Sequence, residues 1–295
     1  MDITVRLVTA TRAQSADDEP FEVFRKPSIS KLIELYRWAD GVMMVGPSIR
    51  SGWLSLLVKK PLLVSHHAGP PSGTAQWFLT KRARNVACSE YLAQQVGGNS
   101  VGVQNPFDVS LFNLNTQGKK NIDFVYVGRL VAAKGVDVFL RALAILKRNG
   151  RHFTASIIGS GPDESALKNL ARELEFLDEV KFTGSLAGSE LRDYLQRHKI
   201  GIVPSRWQEP FGIVALEMIA CKMPVIGSRV GGLPEAVGPC GLLFNNGDAA
   251  DLASKMDELL ADPNLRDELV SQAADHLSQS DPKNVARLYV EELFR

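Results

Sequence analysis

The sequence holds two glutamates separated by seven residues, Glu209 and Glu217, within Ser205-Arg206-Trp207-Gln208-Glu209-Pro210-Phe211-Gly212-Ile213-Val214-Ala215-Leu216-Glu217. Proline suits the first turn of a helix, because its missing N–H is one that a helix start cannot satisfy internally. The amides of Phe211, Gly212 and Ile213 then form an uncapped helix end, where a diphosphate or sugar hydroxyls can dock. Glu209 stands at the mouth of that end and is an ordinary acidic residue at a helix start. Glu217 differs, because it interrupts the apolar run from Phe211 to Ala220. A buried carboxylate is costly unless it meets partners, so Glu217 calls for either a bound pair of hydroxyls or a buried ion pair.

Two glycine-bearing loops carry related chemistry. Gly128-Arg129-Leu130-Val131-Ala132-Ala133-Lys134-Gly135 places a guanidinium and an ammonium just before a helix, which suits phosphate oxygens. Gly159-Ser160-Gly161-Pro162 reads equally as a plain turn or as a close approach to a ligand. In the first half, Pro61-Leu62-Leu63-Val64-Ser65-His66-His67 ends an apolar run on two histidines. Trp207 is either a stacking platform or a structural tryptophan. Cys88, Cys221 and Cys240 lack the spacing of a metal site and read as buried apolar residues.

These residues need a scaffold, and the pattern supplies one. From Asn121 onward, short apolar strands alternate with helices: strands near 123–127, 154–158, 180–183, 200–203, 224–226 and 241–244, with helices about 136–146, from 162, 188–197, 211–221 and 248–260. That alternation predicts a doubly wound parallel sheet, with ligands beyond the carboxyl ends of its strands. The first hundred residues give a thinner alternation. It has strands near 3–9, 42–45, 62–65, 85–88 and 101–104, and helices about 29–39, up to Leu57, and 90–96. A polar connector runs from Asn105 to Lys120, and Ser280-Asp281-Pro282 opens a last helix with Val285, Leu288, Tyr289 and Phe294 on its apolar side. The expected division is 1–107, 108–279 and a helix 280–295 returning to the first unit. Lys plus Arg (34) balances Asp plus Glu (33), so no global field favours nucleic acid. Neither a leader pattern nor a long uninterrupted apolar stretch stands out, which makes a cytoplasmic protein the expectation and leaves peripheral membrane contact open.

With these residues in order, the chain resembles a family 4 retaining glycosyltransferase of the GT-B fold, in which two Rossmann-like domains face a cleft. The likeness runs from Phe124 to Leu265. It rests on the glutamate pair, Val127-Gly128-Arg129 with Lys134-Gly135, Gly159-Ser160-Gly161-Pro162, Phe182-Thr183-Gly184, Val203-Pro204-Ser205, Gly231-Gly232-Leu233-Pro234-Glu235, and Gly247-Asp248 with Leu252-Ala253. The resemblance implies that Arg129 and Lys134 hold the donor diphosphate beside Gly128, Gly159 and Gly161. It places Glu217 on ribose hydroxyls and Glu209 against the donor sugar, with the amides after Glu209 binding the sugar-phosphate end. It makes His67, by its position after the strand, the active-site histidine in preference to His66. Cys88-Ser89 and Asn105-Pro106-Phe107-Asp108 resemble the last strand of the first domain and the crossing to the second, with Ser89 a cleft residue or a helix cap.

Members of this family open with a strand, a Gly-Gly loop and a long helix before a strand like Ile3–Thr9, so the first domain reads as incomplete. The resemblance implies a nucleotide-diphosphate sugar, UDP- or GDP-linked, as donor substrate, no cofactor, and an acceptor hydroxyl on a glycan or a lipid-linked sugar. No Asp-x-Asp pair occurs, so neutralising the leaving diphosphate falls to Arg129, Lys134 and the helix start, without a metal. Glu209 is open as nucleophile or as sugar anchor. The competing reading is a non-catalytic nucleotide-sugar-binding or partner-binding module derived from such an enzyme.

Overall fold

The computed structural model describes residues 3–10, 20–48, 52–57, 59–71, 73–115 and 118–295. The first half runs β1 (Arg6–Thr9), β2 (Glu22–Arg25), α1 (Ile29–Trp38), β3 (Val42–Val45), a 3-10 turn (Trp53–Leu56), β4 (Leu62–His66), α2 (Thr74–Arg82), β5 (Arg84–Ala87), α3 (Glu90–Val96) and β6 (Ser100–Gly102). Strands β3-β4-β5-β6 form a parallel sheet in that order, and β1 pairs with β2 in a separate parallel ribbon. The sequence pattern omits β2 and α2. β2 is only four residues long, and α2 crowds Ala75, Trp77, Phe78 and Leu79 together rather than spacing them along one face. Side-chain caps start the other helices: the Ser28 hydroxyl accepts from the Lys31 amide, and Ser89 accepts from Leu92.

The second half runs β7 (Ile122–Val127), α4 (Val136–Arg148), β8 (Ala155–Ile158), α5 (Glu164–Glu173), β9 (Val180–Gly184), α6 (Gly188–Leu195), β10 (His198–Val203), α7 (Ile213–Ala220), β11 (Val225–Ser228), α8 (Leu233–Val237), β12 (Gly241–Phe244), α9 (Ala249–Ala261), α10 (Pro263–Ser271), α11 (Ala273–Ser278) and α12 (Pro282–Phe294). Six parallel strands lie in the order β12-β11-β10-β7-β8-β9. Alternation along the strands sorts side chains to two faces. Phe124, Tyr126, Ile157, Ile200 and Ile202 pack under α4, α5 and α9. Val125, Ile158, Val203 and Val225 pack under α6, α7, α8 and α11. Because both faces are covered, the carboxyl-end edge is where loops can gather around a ligand. The chain leaves β7 toward β9 and returns through β10 on the other side of β7, so the crevice opens between β7 and β10.

The second apolar layer does not stop at the sheet it covers. Ala87, Cys88, Leu92, Ala93 and Val96 of the first half join it beside Phe211 and Leu233, giving the two lobes a shared core. α12 then crosses back, setting Val285, Leu288, Tyr289 and Leu293 against Leu63, Val86 and Val103. Phe294 is not on that face. It is 55% exposed, because nine residues after Val285 a helix has turned by half a circle, and Leu293 takes the packed position. All three cysteines are buried and free. No helix among the described residues is long and apolar enough to cross a membrane.

His198, at the start of β10, is fully buried, with Nδ1 bonded to the Tyr194 carbonyl and Nε2 to the Ser156 hydroxyl, each at 2.9 Å. Burial, seconded by the charges of Lys120 and Arg197, pushes its pKa from 6.5 down to about 4. The unfolded chain therefore takes up this proton first, and the stability that depends on a neutral ring declines as pH falls from 6.5 toward 4. A His198→Gln variant is expected to be less stable than the parent at neutral pH by about 1 to 3 kcal/mol. The gap should narrow toward pH 4. Urea unfolding across that range checks this, and a gap that stays constant with pH contradicts the buried neutral imidazole.

Candidate active site

Three loops meet at the carboxyl ends of β7, β8 and β10. The first two touch through backbone: the Leu130 amide donates to the Ser160 carbonyl at 2.9 Å, and the Asp163 amide to the Leu130 carbonyl at 3.1 Å. A Cβ on Gly159 would stand 1.9 Å from the Gly128 carbonyl oxygen, and one on Gly161 2.3 Å from that of Leu130. These glycines thus let one loop lie against the other, which is a sufficient structural reason for both. Arg129 projects from this junction, exposed, with its backbone carbonyl held by the Tyr126 hydroxyl at 2.8 Å. Its guanidinium makes no hydrogen bond or ion pair among the described residues.

After β10, the buried Ser205 is fixed through its carbonyl, which accepts from the Ser228 hydroxyl at 2.6 Å. The Ser205 hydroxyl donates to Glu209 Oε1 at 2.7 Å, and Lys134 Nζ reaches the same oxygen at 2.6 Å. Glu209 is only 12% exposed, so this ion pair is well shielded. Lys134 and Glu209 thus meet each other directly. Sequence reasoning missed Ser205 as the third member, although a hydroxyl four residues before Glu209 was visible in the motif. Trp207, between them, is 60% exposed.

α7 begins two residues later than the apolar pattern suggests, at Ile213. The cap is Gly212, whose φ of +122° is a conformation that side-chain-bearing residues rarely adopt, and it offers no side-chain acceptor. The Phe211 ring is in the shared core at 1% exposure, which is why it extends the apolar run without being helical. Among the described residues, the amides of Phe211, Gly212, Ile213 and Val214 have no acceptor. The first amide bonded inward is that of Ala215, to the Gly212 carbonyl at 2.9 Å. About one turn from the helix start at Ile213, Glu217 is half-buried and has no hydrogen-bonding or ionic partner among the described residues. Desolvation first, then the negative charge of Asp108, pushes its pKa from 4.5 up to about 7.

The other lobe presents His67 at the end of β4. His67 is exposed, whereas His66 is 2% exposed and bonded to Asn85 Oδ1 at 3.0 Å, with its pKa lowered mainly by burial. His67 Nε2 lies 2.7 Å from the Ser65 hydroxyl and Nδ1 2.9 Å from Asn105 Oδ1. Ser65 is also 2.8 Å from the Tyr289 hydroxyl of α12. Among the described residues, no hydrogen bond or ion pair joins His67 directly to Arg129, Lys134 or Glu209. Its strand is tied toward the second lobe only indirectly: β4 neighbours β5, and Ser89, two residues beyond β5, donates to the Pro210 carbonyl at 2.6 Å.

Solved proteins with this fold are numerous. A solved glycosyltransferase from Rickettsia africae ESF-5 superposes with a TM-score of 0.84 at 18% identity, over 98% of this chain and 90% of that one. Anabaena Alr3699/HepE, solved in complex with UDP, gives 0.78 at 20% identity over 93% and 86%. The fold is accordingly that of GT-B glycosyltransferases, an α/β architecture of Rossmann-like parallel sheets. In sequence, the chain is 38% identical over 143 residues to a glycogen synthase of Mycobacterium tuberculosis, covering 48% of this chain and 34% of the relative. It is 36% identical over 165 residues to a D-inositol 3-phosphate glycosyltransferase of Stackebrandtia nassauensis, covering 52% and 37%. The chain thus spans about a third of the length of the curated relatives it matches. Residues 110–276, which contain every loop of the crevice between β7 and β10, match the sequence profile of Glycosyl transferases group 1, and the chain belongs to that family.

Proposed function

We propose that this chain transfers a sugar from a nucleotide-diphosphate donor to an acceptor hydroxyl, with retention of anomeric configuration. One observation carries the reading: α7 holds unmet demands of opposite sign. Among the described residues, its first amides lack acceptors and its Glu217 carboxylate lacks donors, four residues or about 6 Å further along the axis. A ligand that satisfies both carries anionic oxygens at one point and hydroxyl donors a few ångströms away, as a ribose diphosphate does. The UDP bound to Alr3699/HepE supports the same class of donor. UDP- and GDP-linked sugars both fit this description.

In the proposed reaction, the bond between the anomeric carbon and the diphosphate oxygen breaks, its electron pair goes to the diphosphate, and the acceptor oxygen bonds to the anomeric carbon on the same face. The acceptor proton passes to the leaving phosphate. Charge growing on the diphosphate is met by Arg129, Lys134 and the α7 amides, with no metal required of this residue set. We assign Glu209 as a sugar anchor: Lys134 and Ser205 hold Oε1, which fixes the carboxylate and leaves Oε2 for sugar hydroxyls. His67 faces the donor sugar from the other lobe, and the acceptor, a glycan or lipid-linked sugar, enters on that side.

Arg129→Ala or Lys134→Ala is expected to remove ~1.5 to 3 kcal/mol of charged hydrogen bonding, a ten- to hundredfold fall in donor-dependent turnover. Unchanged turnover in both variants removes the diphosphate site. Nucleotide binding by the parent without transfer or hydrolysis supports the non-catalytic module instead. Glu217 gives a separate check. With its folded pKa raised to about 7, the folded chain holds this proton more tightly than the unfolded one, so stability declines as pH rises from 4.5 to 7. Glu217→Gln should therefore weaken nucleotide binding yet gain stability over the parent, more at pH 8 than at pH 5. Thermal melts at both pH values with UDP and GDP titrations test this, and a variant that is less stable at pH 8 contradicts it.

A further inference from the structure

The start of α3 in the first lobe is satisfied by a residue of the second. Glu235, at the beginning of α8, accepts from the Glu90 amide through Oε2 at 2.7 Å and from the Tyr91 amide through Oε1 at 2.8 Å, while Ser89 accepts from the third amide, Leu92, at 3.0 Å. The same short helix grips the loop that leads to α7. The Ser89 hydroxyl donates to the Pro210 carbonyl at 2.6 Å, and the Tyr91 hydroxyl to Gln208 Oε1 at 2.6 Å. From inside the second lobe, the Gly232 amide donates to the Glu209 carbonyl at 2.7 Å. Gln208, Glu209 and Pro210 are thus tied by side chain or backbone just before the four acceptorless amides, and two of the three ties come from the opposite lobe. Charge-assisted bonds to backbone amides are the stronger kind, so the Glu235 contact dominates the set. The Cys88, Leu92 and Phe211 side chains share one apolar cluster beside it.

We infer that Glu235, Ser89 and Tyr91 form a latch between the lobes that sets the loop carrying Glu209 and the α7 amides, making Ser89 and Tyr91 positioning residues for the diphosphate end of the donor. The functional half of this inference rests on the proposed donor site, and the latch itself does not. Closure and diphosphate binding are then coupled, each favouring the other by the same factor.

The test uses the whole chain, with Glu235→Gln as the main variant and the exposed contact Tyr91→Phe as the second. Glu235→Gln replaces one carboxylate oxygen by an amide donor that faces a backbone N–H, so small-angle X-ray scattering without ligand should show a larger radius of gyration than the parent. Titrations compare UDP with UMP and GDP with GMP. Both variants are expected to lose roughly fivefold or more in affinity for the diphosphate that the parent binds, with the monophosphate little changed. An unchanged radius of gyration in Glu235→Gln overturns the latch. Equal losses for diphosphate and monophosphate, or none, in Tyr91→Phe overturn the positioning role, since general damage to the donor lobe weakens both ligands alike. If the parent binds neither UDP nor GDP, the donor site fails, and scattering alone still decides the latch.

Discussion

The protein is organised around a helix start that its own fold leaves unsatisfied. A parallel sheet covered on both faces sends every connection out through its ends, and the reversal between β7 and β10 opens a crevice there. Into that crevice α7 points its first amides without an acceptor among the described residues. The neighbouring features follow from it. The backbone-to-backbone contact of the β7 and β8 loops keeps bulk out of the crevice, and the carboxylate just before the amides in sequence, Glu209, is held by Lys134 and Ser205. Positive potential is thus preserved at one point of an almost electroneutral chain.

Much of this was legible in the amino-acid order, for physical reasons. Strands of a sheet buried on both faces must be apolar nearly throughout, so Phe124 to Val127 and Ile200 to Val203 announce themselves. Glu217 was legible through its cost, as a carboxylate within an apolar run. The onset of α7 was misjudged because Phe211 is apolar for the sake of the shared core rather than the helix. The partnership of Glu235 with the amides of Glu90 and Tyr91 was beyond the pattern altogether. It spans some 145 residues of chain and uses backbone donors, which carry no residue identity. The His67 network is similar, since Ser65, Asn105 and Tyr289 come from three separated segments.

Stability and site chemistry pull against one another along β10 and α7. His198 is buried with both ring nitrogens bonded, so its desolvation is compensated by structure. Glu217 is desolvated with no such partner among the described residues. A fold selected for stability alone would place a neutral residue there. The two groups resist protonation changes in opposite senses, the histidine staying neutral by refusing a proton and the glutamate by keeping one.

The polypeptide passes between lobes twice, through the segment after β6 and again just before α12. The passages run side by side: Gln104 accepts from the buried Ser280 hydroxyl at 2.8 Å and donates to Gln279 Oε1 at 3.4 Å. Two covalent strands fastened at one place act like adjacent pins of a door. Such a pair resists sliding of one lobe over the other more than it resists swinging about the line that joins the pins. Any swing of the lobes would then carry the wall opposite the crevice along an arc about that line, so that its register against a held ligand is set by where the two strands are fastened.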